Sequence, residues 1–180
     1  MKDQFKNSER GYVVWLTGLP GAGKSTLAKG LYDIYQRRGL KVEYLDGDNL
    51  RALFPQIGFT KEARDEHIRR VGFMASLLER HGVIVIAAFV SPYRQARLQA
   101  RRMCRKFIEV YVETSLEECE RRDPKGLFKK ARTGEIPHFT GISDPYEPPQ
   151  KPEITIRTEG SSIEDSLREL IKQINTICDL

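Results

Sequence analysis

The sequence contains few cysteines and no cysteine pair with metal-binding or redox spacing. Only three occur among the 180 residues, Cys104, Cys119 and Cys178, and no two of them form a Cys-x-x-Cys motif. An odd number of scattered cysteines argues against a disulfide framework and against a structural zinc site. We interpret each one as a small buried or incidental side chain.

Long apolar runs are also missing. The longest, residues 83–90, is far shorter than the roughly 20 residues that a membrane-spanning helix needs. Residues 1–6 are polar and do not resemble a signal peptide. There is no internal repeat, linker or low-complexity segment, so we expect one domain over residues 1–180, a cytoplasmic location and no membrane partner.

The charge balance is moderately basic. The formal net charge is +5, with 39% hydrophobic and 31% charged residues, which is ordinary for a globular protein. A basic protein suits either an enzyme of small polyanions or a nucleic-acid-binding protein. The basic residues are dispersed among acids, and the densest cluster is Arg101-Arg102 with Arg105-Lys106. We therefore expect a solvated helix there and no nucleic-acid partner.

The most informative motif occupies residues 18–25, Gly-Leu-Pro-Gly-Ala-Gly-Lys-Ser, and fits the P-loop pattern. A strand-like run, residues 12–17, precedes it and a helix-competent segment, residues 26–32, follows. In a P-loop, backbone N–H groups and a helix N-terminus surround phosphate oxygens, the lysine reaches the β- and γ-phosphates and the serine hydroxyl binds Mg²⁺. The predicted ATP-binding residues are Gly18, Leu19, Pro20, Gly21, Ala22, Gly23, Lys24, Ser25 and Thr26.

The glycines could instead belong to a dinucleotide-binding turn or to a turn that binds nothing. The dinucleotide pattern fails because Thr26 occupies its third glycine position. A preceding strand and a following helix favour the P-loop over an inert turn. We therefore predict a nucleoside triphosphate site with Lys24 as a catalytic residue.

Strand-like and helical segments alternate along the chain. Further strands are predicted at residues 41–46, 83–90, 107–112 and 154–156. Helices are predicted after Thr60 as far as Gly82, from about residue 92 to 105, and after two capping boxes, Thr114-x-x-Glu117 and Ser161-x-x-Glu164. This alternation predicts the three-layer α/β fold of a P-loop NTPase, with a central parallel sheet and right-handed crossovers.

Residues 121–152 break this alternation. They show little apolar periodicity and contain six of the nine prolines. A long irregular segment in a compact domain is usually functional or disordered. It also carries several basic residues: Arg121, Arg122, Lys125, Lys129, Lys130 and Arg132. We predict a lid over the bound phosphates, with a solvated surface loop as the alternative.

Two other strand ends carry candidate site residues, since ligands of α/β sheets bind beyond the carboxyl ends of the strands. Asp46 and Asp48 follow the second strand, and could supply a Mg²⁺ ligand and the group that accepts the proton of an acceptor hydroxyl. The alternative is an ordinary Asp-Gly turn. Ser91 follows the third strand, where it is either a site residue or the N-cap of the next helix.

Five segments together resemble the motif set of the adenylylsulfate kinases, in the right order over residues 12–150. They are the P-loop, Asp46-Gly47-Asp48-Asn49-x-Arg51, Phe89-Val90-Ser91-Pro92-Tyr93-Arg94, Asp123-Pro124-Lys125-Gly126-Leu127 and the block at residues 139–147. The P-loop is generic, whereas the last three segments together are specific. The resemblance implies a nucleoside-monophosphate-kinase-like fold and phosphorylation of the ribose 3′-hydroxyl of adenosine 5′-phosphosulfate (APS) by Mg-ATP.

The resemblance also implies roles for individual residues. Asp46 and Asp48 would lie by the Mg²⁺ and the acceptor ribose, one of them as base, with Ser25 and Asp46 as metal ligands. Arg51 and Arg64 would hold the phosphosulfate, Phe59 and Phe139 would stack on the substrate adenine, and Lys125 would neutralise charge between the nucleotides. The remaining substrate-binding residues would be His67, Val90, Ser91, Gly141 and Ile142. A homodimer and an ATP sulfurylase partner are implied in the same way.

Ser91 matches a serine for which the family has a proposed phosphoserine intermediate. Direct in-line transfer needs no such intermediate, so we place Ser91 among the catalytic residues as a substrate-site group.

The sequence departs from the family pattern at three positions. His67 stands where asparagine is common, and we expect its protonation to make binding depend on pH near neutrality. Phe128 replaces a frequent tyrosine in the lid, and Pro20 replaces a common serine in the P-loop at the cost of one backbone N–H. These changes bear on affinity and leave the reaction type intact.

Two other kinds of nucleotide-binding protein remain as alternatives. A P-loop kinase of gluconate or a nucleoside monophosphate would share the fold, although the aromatic pair and residues 139–147 argue against gluconate. A regulatory GTPase would match Asp123-x-x-Gly126, but that segment follows a capped helix and the chain has no Asn-Lys-x-Asp motif.

Overall fold

A central sheet of five parallel strands organises the protein. The computed structural model describes residues 11–54 and 56–178. The strands are β1 (Val13–Thr17), β2 (Val42–Asp46), β3 (Ile84–Ala88), β4 (Phe107–Glu113) and β5 (Ile154–Arg157). They lie in the order β2-β3-β1-β4-β5, and every neighbouring pair is parallel. The predicted parallel sheet is confirmed.

Helices cover both faces of this sheet. They are α1 (Lys24–Arg37), α2 (Gly47–Leu53), α3 (Lys61–Arg80), α4 (Arg94–Met103), α5 (Leu116–Arg122), α6 (Leu127–Arg132) and α7 (Ile163–Cys178). None of the helices in the described part of the chain has the length and apolar character that crossing a bilayer requires.

Two apolar layers flank the sheet because successive side chains of a strand point to opposite faces. Val14 and Leu16 of β1 belong to the layer that includes α1 and α7, while Val13 and Trp15 belong to the layer that includes α3 and α4. All five residues of β1 and of β3 are buried, as expected of central parallel strands covered on both sides. The predicted three-layer α/β architecture is therefore confirmed.

Two predicted helix caps are wrong, and the N-cap alternative for Ser91 is excluded. The N-cap of α5 is Ser115, whose hydroxyl accepts the N–H of Glu118, and not Thr114. At the start of α7 the Ser162 hydroxyl, not that of Ser161, accepts the N–H of Asp165 at 3.0 Å. The N-cap of α4 is Tyr93, so Ser91 does not cap it.

Residues 121–152 are more ordered than the sequence indicated. The segment contains the end of α5 and all of α6. The Phe128 ring of α6 is buried and lies edge-on to Phe139 at a centroid distance of 5.0 Å. These contacts join the segment to the core layer around α1, so it is a packed structure and not a solvated loop.

Candidate active site

A cavity of about 710 Å³ lies at the carboxyl ends of the strands. It is lined by residues that follow β1, β2 and β3 and by residues of the 121–152 segment, as expected for an open parallel sheet. The predicted site residues that line it are Pro20, Gly21, Gly23, Lys24, Ser25, Thr26, Asp46, Asp48, Arg51, Phe59, Arg64, His67, Val90, Ser91, Lys125 and Phe139.

Five predicted residues lie outside the cavity wall. Gly18, Leu19 and Ala22 belong to the P-loop but are absent from the lining, and Ala22 is fully buried. Gly141 packs against Leu19, whose side chain would lie only 3.1 Å from a Cβ at that position. Ile142 packs on the apolar layer around α1.

The P-loop has the backbone that phosphate binding needs. Gly21 and Gly23 have φ values of 77° and 99°, which residues with side chains rarely adopt, and α1 begins at Lys24. Lys24 is buried and its Nζ donates to the Leu19 carbonyl at 2.7 Å. Burial lowers the pKa of this ammonium to about 8. The loop therefore holds a desolvated cation beside a helix N-terminus, an arrangement suited to a polyphosphate.

Two threonines anchor this loop to neighbouring strands. The hydroxyls of Thr114 and Thr158 donate to the Ala22 carbonyl at 3.3 and 3.0 Å and contact each other at 2.6 Å. The Arg122 guanidinium donates to the Thr158 hydroxyl and carbonyl, at 2.9 Å each. The P-loop is thus fixed to the ends of β4 and β5.

Asp46 and Asp48 occupy different environments at the end of β2. Asp46 is the N-cap of α2: its Oδ1 accepts the N–H groups of Asp48 and Asn49 at 3.0 Å each, and its Oδ2 accepts the Tyr44 hydroxyl at 2.7 Å. The Asp48 side chain is 72% exposed and pairs with Lys125 of the 121–152 segment. Asp46 is thus held rigidly, whereas the Asp48 carboxylate is exposed and paired with a single cation.

The residues present fit a Mg²⁺ ion that arrives with a nucleotide. No cluster of three or more His, Cys, Asp or Glu side chains occurs in residues 11–54 and 56–178. Mg²⁺ in phosphoryl-transfer sites is usually held by one or two carboxylates together with phosphates and waters. The exposed Ser25 hydroxyl and the Asp46 carboxylate offer this kind of hard oxygen ligand.

Phe59 and Phe139 line the other end of the cavity. The guanidinium groups of Arg51 and Arg64 lie 4.4 and 5.5 Å from the centroid of the half-exposed Phe59 ring. Arg64 donates to the Phe59 carbonyl at 2.8 Å, to the Thr140 hydroxyl at 3.1 Å and to the carbonyl that precedes Phe139. Arg64 therefore cross-links the two segments that carry the aromatic rings.

His67 is buried on the cavity wall, and neither ring nitrogen has a hydrogen-bond partner. Burial, with Arg51 and Arg70 adding to it, lowers the pKa of the imidazole to about 4. The expected pH dependence near neutrality is therefore wrong: the ring is neutral there, with one nitrogen a donor and the other an acceptor.

Ser91 is a buried residue of the cavity wall, and its hydroxyl belongs to a hydrogen-bond network within the protein. Its hydroxyl accepts the indole N–H of Trp15 and donates to the Thr17 hydroxyl, both at 3.1 Å. Its φ is 37°, and its carbonyl accepts a 2.6 Å bond from the buried Arg97. The Ser91 hydroxyl is thus hydrogen-bonded to groups of the protein itself.

One end of the cavity was not predicted from the sequence. Residues that follow β5 line it there, next to the predicted lid residue Arg122: Thr158, Ser161, Ser162, Ile163 and Ser166. The Ser166 hydroxyl is buried and has no partner within the described structure. The rule used for β1, β2 and β3 applies equally to β5, and inspecting that strand end would have found this wall.

Of the basic residues in the predicted lid, Arg122 and Lys125 line the cavity. Arg121 pairs with Glu118 at 2.7 Å, and Arg132 with Glu120 at 2.9 Å. These two arginines stabilise the outside of the segment.

A P-loop after β1, an acid pair after β2 and a two-ended cavity define a P-loop kinase of a small molecule. The chain matches the family described as adenylylsulphate kinase over residues 10–157 and belongs to that family.

Known proteins similar to this chain agree with that assignment. The probable adenylyl-sulfate kinase of Aeropyrum pernix is 49% identical, over 97% of this chain and 98% of its own. An adenylyl-sulfate kinase of a Synechococcus strain is 52% identical, over 94% and 97%. The Mycobacterium tuberculosis APS kinase CysC, solved with AMPPNP and APS, superposes with a TM-score of 0.88 at 41% identity, over 92% and 98%.

Proposed function

We propose that this enzyme transfers the γ-phosphoryl group of Mg-ATP to the ribose 3′-hydroxyl of APS, giving 3′-phosphoadenosine 5′-phosphosulfate and ADP. The observation that carries the proposal is one continuous cavity with a P-loop on one side and an aromatic, arginine-rich wall on the other. Such a cavity suits two nucleotides that meet at a phosphate. Membership in the adenylylsulphate kinase family supports the same reaction.

The triphosphate would bind along the P-loop, with its base at the wall formed by the residues after β4 and β5. Backbone N–H groups at the start of α1 and the Lys24 ammonium would hold the β- and γ-phosphates. Ser25 and Asp46 would hold Mg²⁺, which when bound neutralises charge on the phosphates. Positioning and electrostatic stabilisation supply most of the catalysis in phosphoryl transfer.

APS would bind at the other end, with its adenine against Phe59 and Phe139. Stacking of a base on an aromatic ring contributes about 1–3 kcal/mol. Arg51 would pair with the phosphosulfate, since a guanidinium presents several donors in a fixed geometry. The neutral His67 would offer a donor and an acceptor to the substrate, and Val90 would line the cavity. Gly141 and Ile142 would act from outside it, by supporting the turn that carries Phe139.

Asp48 is the proposed base that accepts the 3′-hydroxyl proton. Its exposed carboxylate lies against Lys125, which would move to the phosphates as residues 121–152 close over them as a lid. This exchange would release Asp48 for the acceptor hydroxyl. Ser91 would act through the backbone it positions and would not become phosphorylated.

The test is incubation with Mg-ATP and APS, followed by identification of the nucleotide products. We expect 3′-phosphoadenosine 5′-phosphosulfate and ADP in equal amounts, and no ADP with gluconate or a nucleoside monophosphate as acceptor. The Asp48→Asn variant should lose about 10²–10⁴-fold in kcat while its affinity for ATP persists. Phosphorylation of another acceptor, with APS unchanged, would refute the assignment.

Three broader properties belong to the same proposal. A single catalytic domain over residues 1–180 would act in the cytoplasm, where its thiols stay reduced, and an ATP sulfurylase would supply APS. It would form a homodimer, which the exposed apolar side chains Phe73, Leu77 and Leu98 on the packed pair α3 and α4 support. Sedimentation equilibrium measures the assembly, and a monomer at all concentrations would contradict the dimer.

A further inference from the structure

Tyr44 has no role in the P-loop or the acid pair, yet its hydroxyl lies between them. The residue is half-buried on β2, an edge strand of the sheet. Its hydroxyl donates to Asp46 Oδ2 at 2.7 Å. Its ring packs at a tilt against Tyr32 of α1, with the centroids 6.2 Å apart. The side chain therefore connects the end of β2 to the helix that follows the P-loop.

The hydrogen bond from Tyr44 fixes Asp46 Oδ2, the carboxylate oxygen that does not take part in the helix cap. Oδ1 already accepts two backbone N–H groups of α2. A carboxylate oxygen has two lone pairs, so Oδ2 can accept the phenol proton and still present a lone pair to a cation. The orientation of that lone pair is then set by Tyr44.

Ser25 is the second neighbour of this phenol. The Ser25 hydroxyl interacts with the Tyr44 side chain, and the Tyr44 hydroxyl itself donates to Asp46 Oδ2 at 2.7 Å. The Ser25 hydroxyl, the Tyr44 hydroxyl and the Asp46 carboxylate therefore lie next to one another.

This neighbourhood suits a hydroxyl ligand. A serine that binds a cation does so through an oxygen lone pair, and its proton must point to an acceptor elsewhere. The neighbouring Tyr44 oxygen would be that acceptor. One phenol would thus accept the Ser25 proton while it orients the Asp46 oxygen.

We propose that Tyr44 is a positioning residue of the divalent-cation site, holding the Ser25 and Asp46 oxygens in the orientation in which both face the Mg²⁺ of Mg-ATP. The inference rests on the proposed function, in which these two residues are the cation ligands. Partners that orient metal ligands typically contribute 10–100-fold to metal affinity or activity.

The test is the Tyr44→Phe variant, which removes the hydroxyl and keeps the ring. Tyr32→Phe is the matched control, because it removes the neighbouring hydroxyl, which accepts a bond from Gln36 at 3.2 Å. Mn²⁺ binding in the presence of a non-hydrolysable ATP analogue is measured by electron paramagnetic resonance. We expect about a 10–100-fold weaker cation affinity for Tyr44→Phe and the wild-type value for Tyr32→Phe.

A second measurement separates cation binding from general stability. For each variant, the melting temperature of the ATP-bound protein is measured with Mg²⁺ and with EDTA, and the difference is the stabilisation by the cation. This difference should be smaller for Tyr44→Phe only, while ATP affinity without metal stays unchanged. A Tyr44→Phe variant that matches wild type in both measurements overturns the role of Tyr44. A wild-type protein that binds the nucleotide with no cation dependence overturns the proposed Mg-ATP chemistry itself.

Discussion

Ser91 shows how burial decides the chemistry available to one residue. Its hydroxyl lies between the Trp15 indole and the Thr17 hydroxyl, and the Thr17 hydroxyl also contacts Tyr146 at 3.1 Å. A nucleophilic serine needs a neighbouring base and access to the phosphorus atom. The partners of the Ser91 hydroxyl are the Trp15 indole, the Thr17 hydroxyl and the Phe89 carbonyl, none of which is a base, so the geometry favours direct transfer.

We expect Ser91→Ala to retain turnover within about tenfold of wild type while the free energy of unfolding falls by about 1–2 kcal/mol, the cost of leaving buried partners unpaired. Ser76→Ala is a suitable control, because that hydroxyl is also buried and donates at 2.8 Å within α3. Steady-state kinetics and urea unfolding give both quantities. Complete inactivity in a folded Ser91→Ala protein would restore the covalent route.

At the scale of residues, the motifs predicted which side chains line the cavity. They predicted less well the burial and protonation of each side chain. Lys24, Asp46 and Asp48 lie on the cavity wall as expected. The burial that keeps His67 neutral depends on contacts with Phe54 and Phe89, whose rings lie 6.4 and 5.9 Å away. These contacts are distant or irregular in sequence, so spacing could not reveal them.

At the scale of elements, the sequence located the starts of α5 and α7 but not their register. Each start holds a doublet of hydroxyl residues, Thr114-Ser115 and Ser161-Ser162, followed by a pair of acids. Both registers satisfy the capping pattern, so the pattern cannot choose between them. Tertiary contacts decide: Thr114 is used instead to hold the Ala22 carbonyl.

The Arg64 side chain connects two elements, the start of α3 and the segment before Phe139. We expect Arg64→Gln to raise KM for APS by about 10–100-fold, since each hydrogen bond from a charged group contributes about 1.5–3 kcal/mol. The KM for ATP should stay near wild type, because Arg64 lies away from the P-loop end of the cavity.

Arg69→Gln serves as the control, as Arg69 also lies on α3 but is exposed and pairs with Glu66 at 2.7 Å. Initial-rate kinetics with each nucleotide varied in turn separate the two KM values. An equal rise in both KM values, or no change in either, would contradict a role of Arg64 in the acceptor end.

At the scale of the whole molecule, the alternation of buried strands and helices was enough to predict the layers of the fold. The ordered structure of residues 121–152 was not predictable in this way. Phe128 and Phe139 pack against each other although an irregular stretch of chain separates them. A contact of this kind produces no helical or strand periodicity in the sequence. The segment's six prolines pointed to loop structure while the packing came from contacts between its two halves.

The stability of the whole molecule should depend on His67 in acid. The folded pKa of about 4 lies below the ordinary value of 6.5, so the unfolded chain binds more protons between these values and stability falls as the pH falls through that window. One pKa unit corresponds to about 1.4 kcal/mol, so the loss attributable to His67 reaches roughly 3 kcal/mol. Above about pH 7 this contribution is constant.

Urea unfolding at pH 7 and at pH 4.5 tests this dependence. We expect wild type to lose roughly 2–3 kcal/mol more than His67→Asn between the two values, since asparagine does not titrate. His81→Asn leaves His67 in place and should behave as wild type. Equal losses in the wild-type and His67→Asn proteins would contradict the burial effect.

Trp15 gives the protein a built-in optical reporter. It is the only tryptophan in the sequence, is fully buried, and lies between the rings of Phe89 and Phe107 at 5.4 and 5.6 Å. Its indole N–H donates to the hydroxyl of Ser91, a residue of the cavity wall. Fluorescence excited selectively at this single tryptophan should therefore respond both to global unfolding and to local rearrangement around Ser91, with no extrinsic dye.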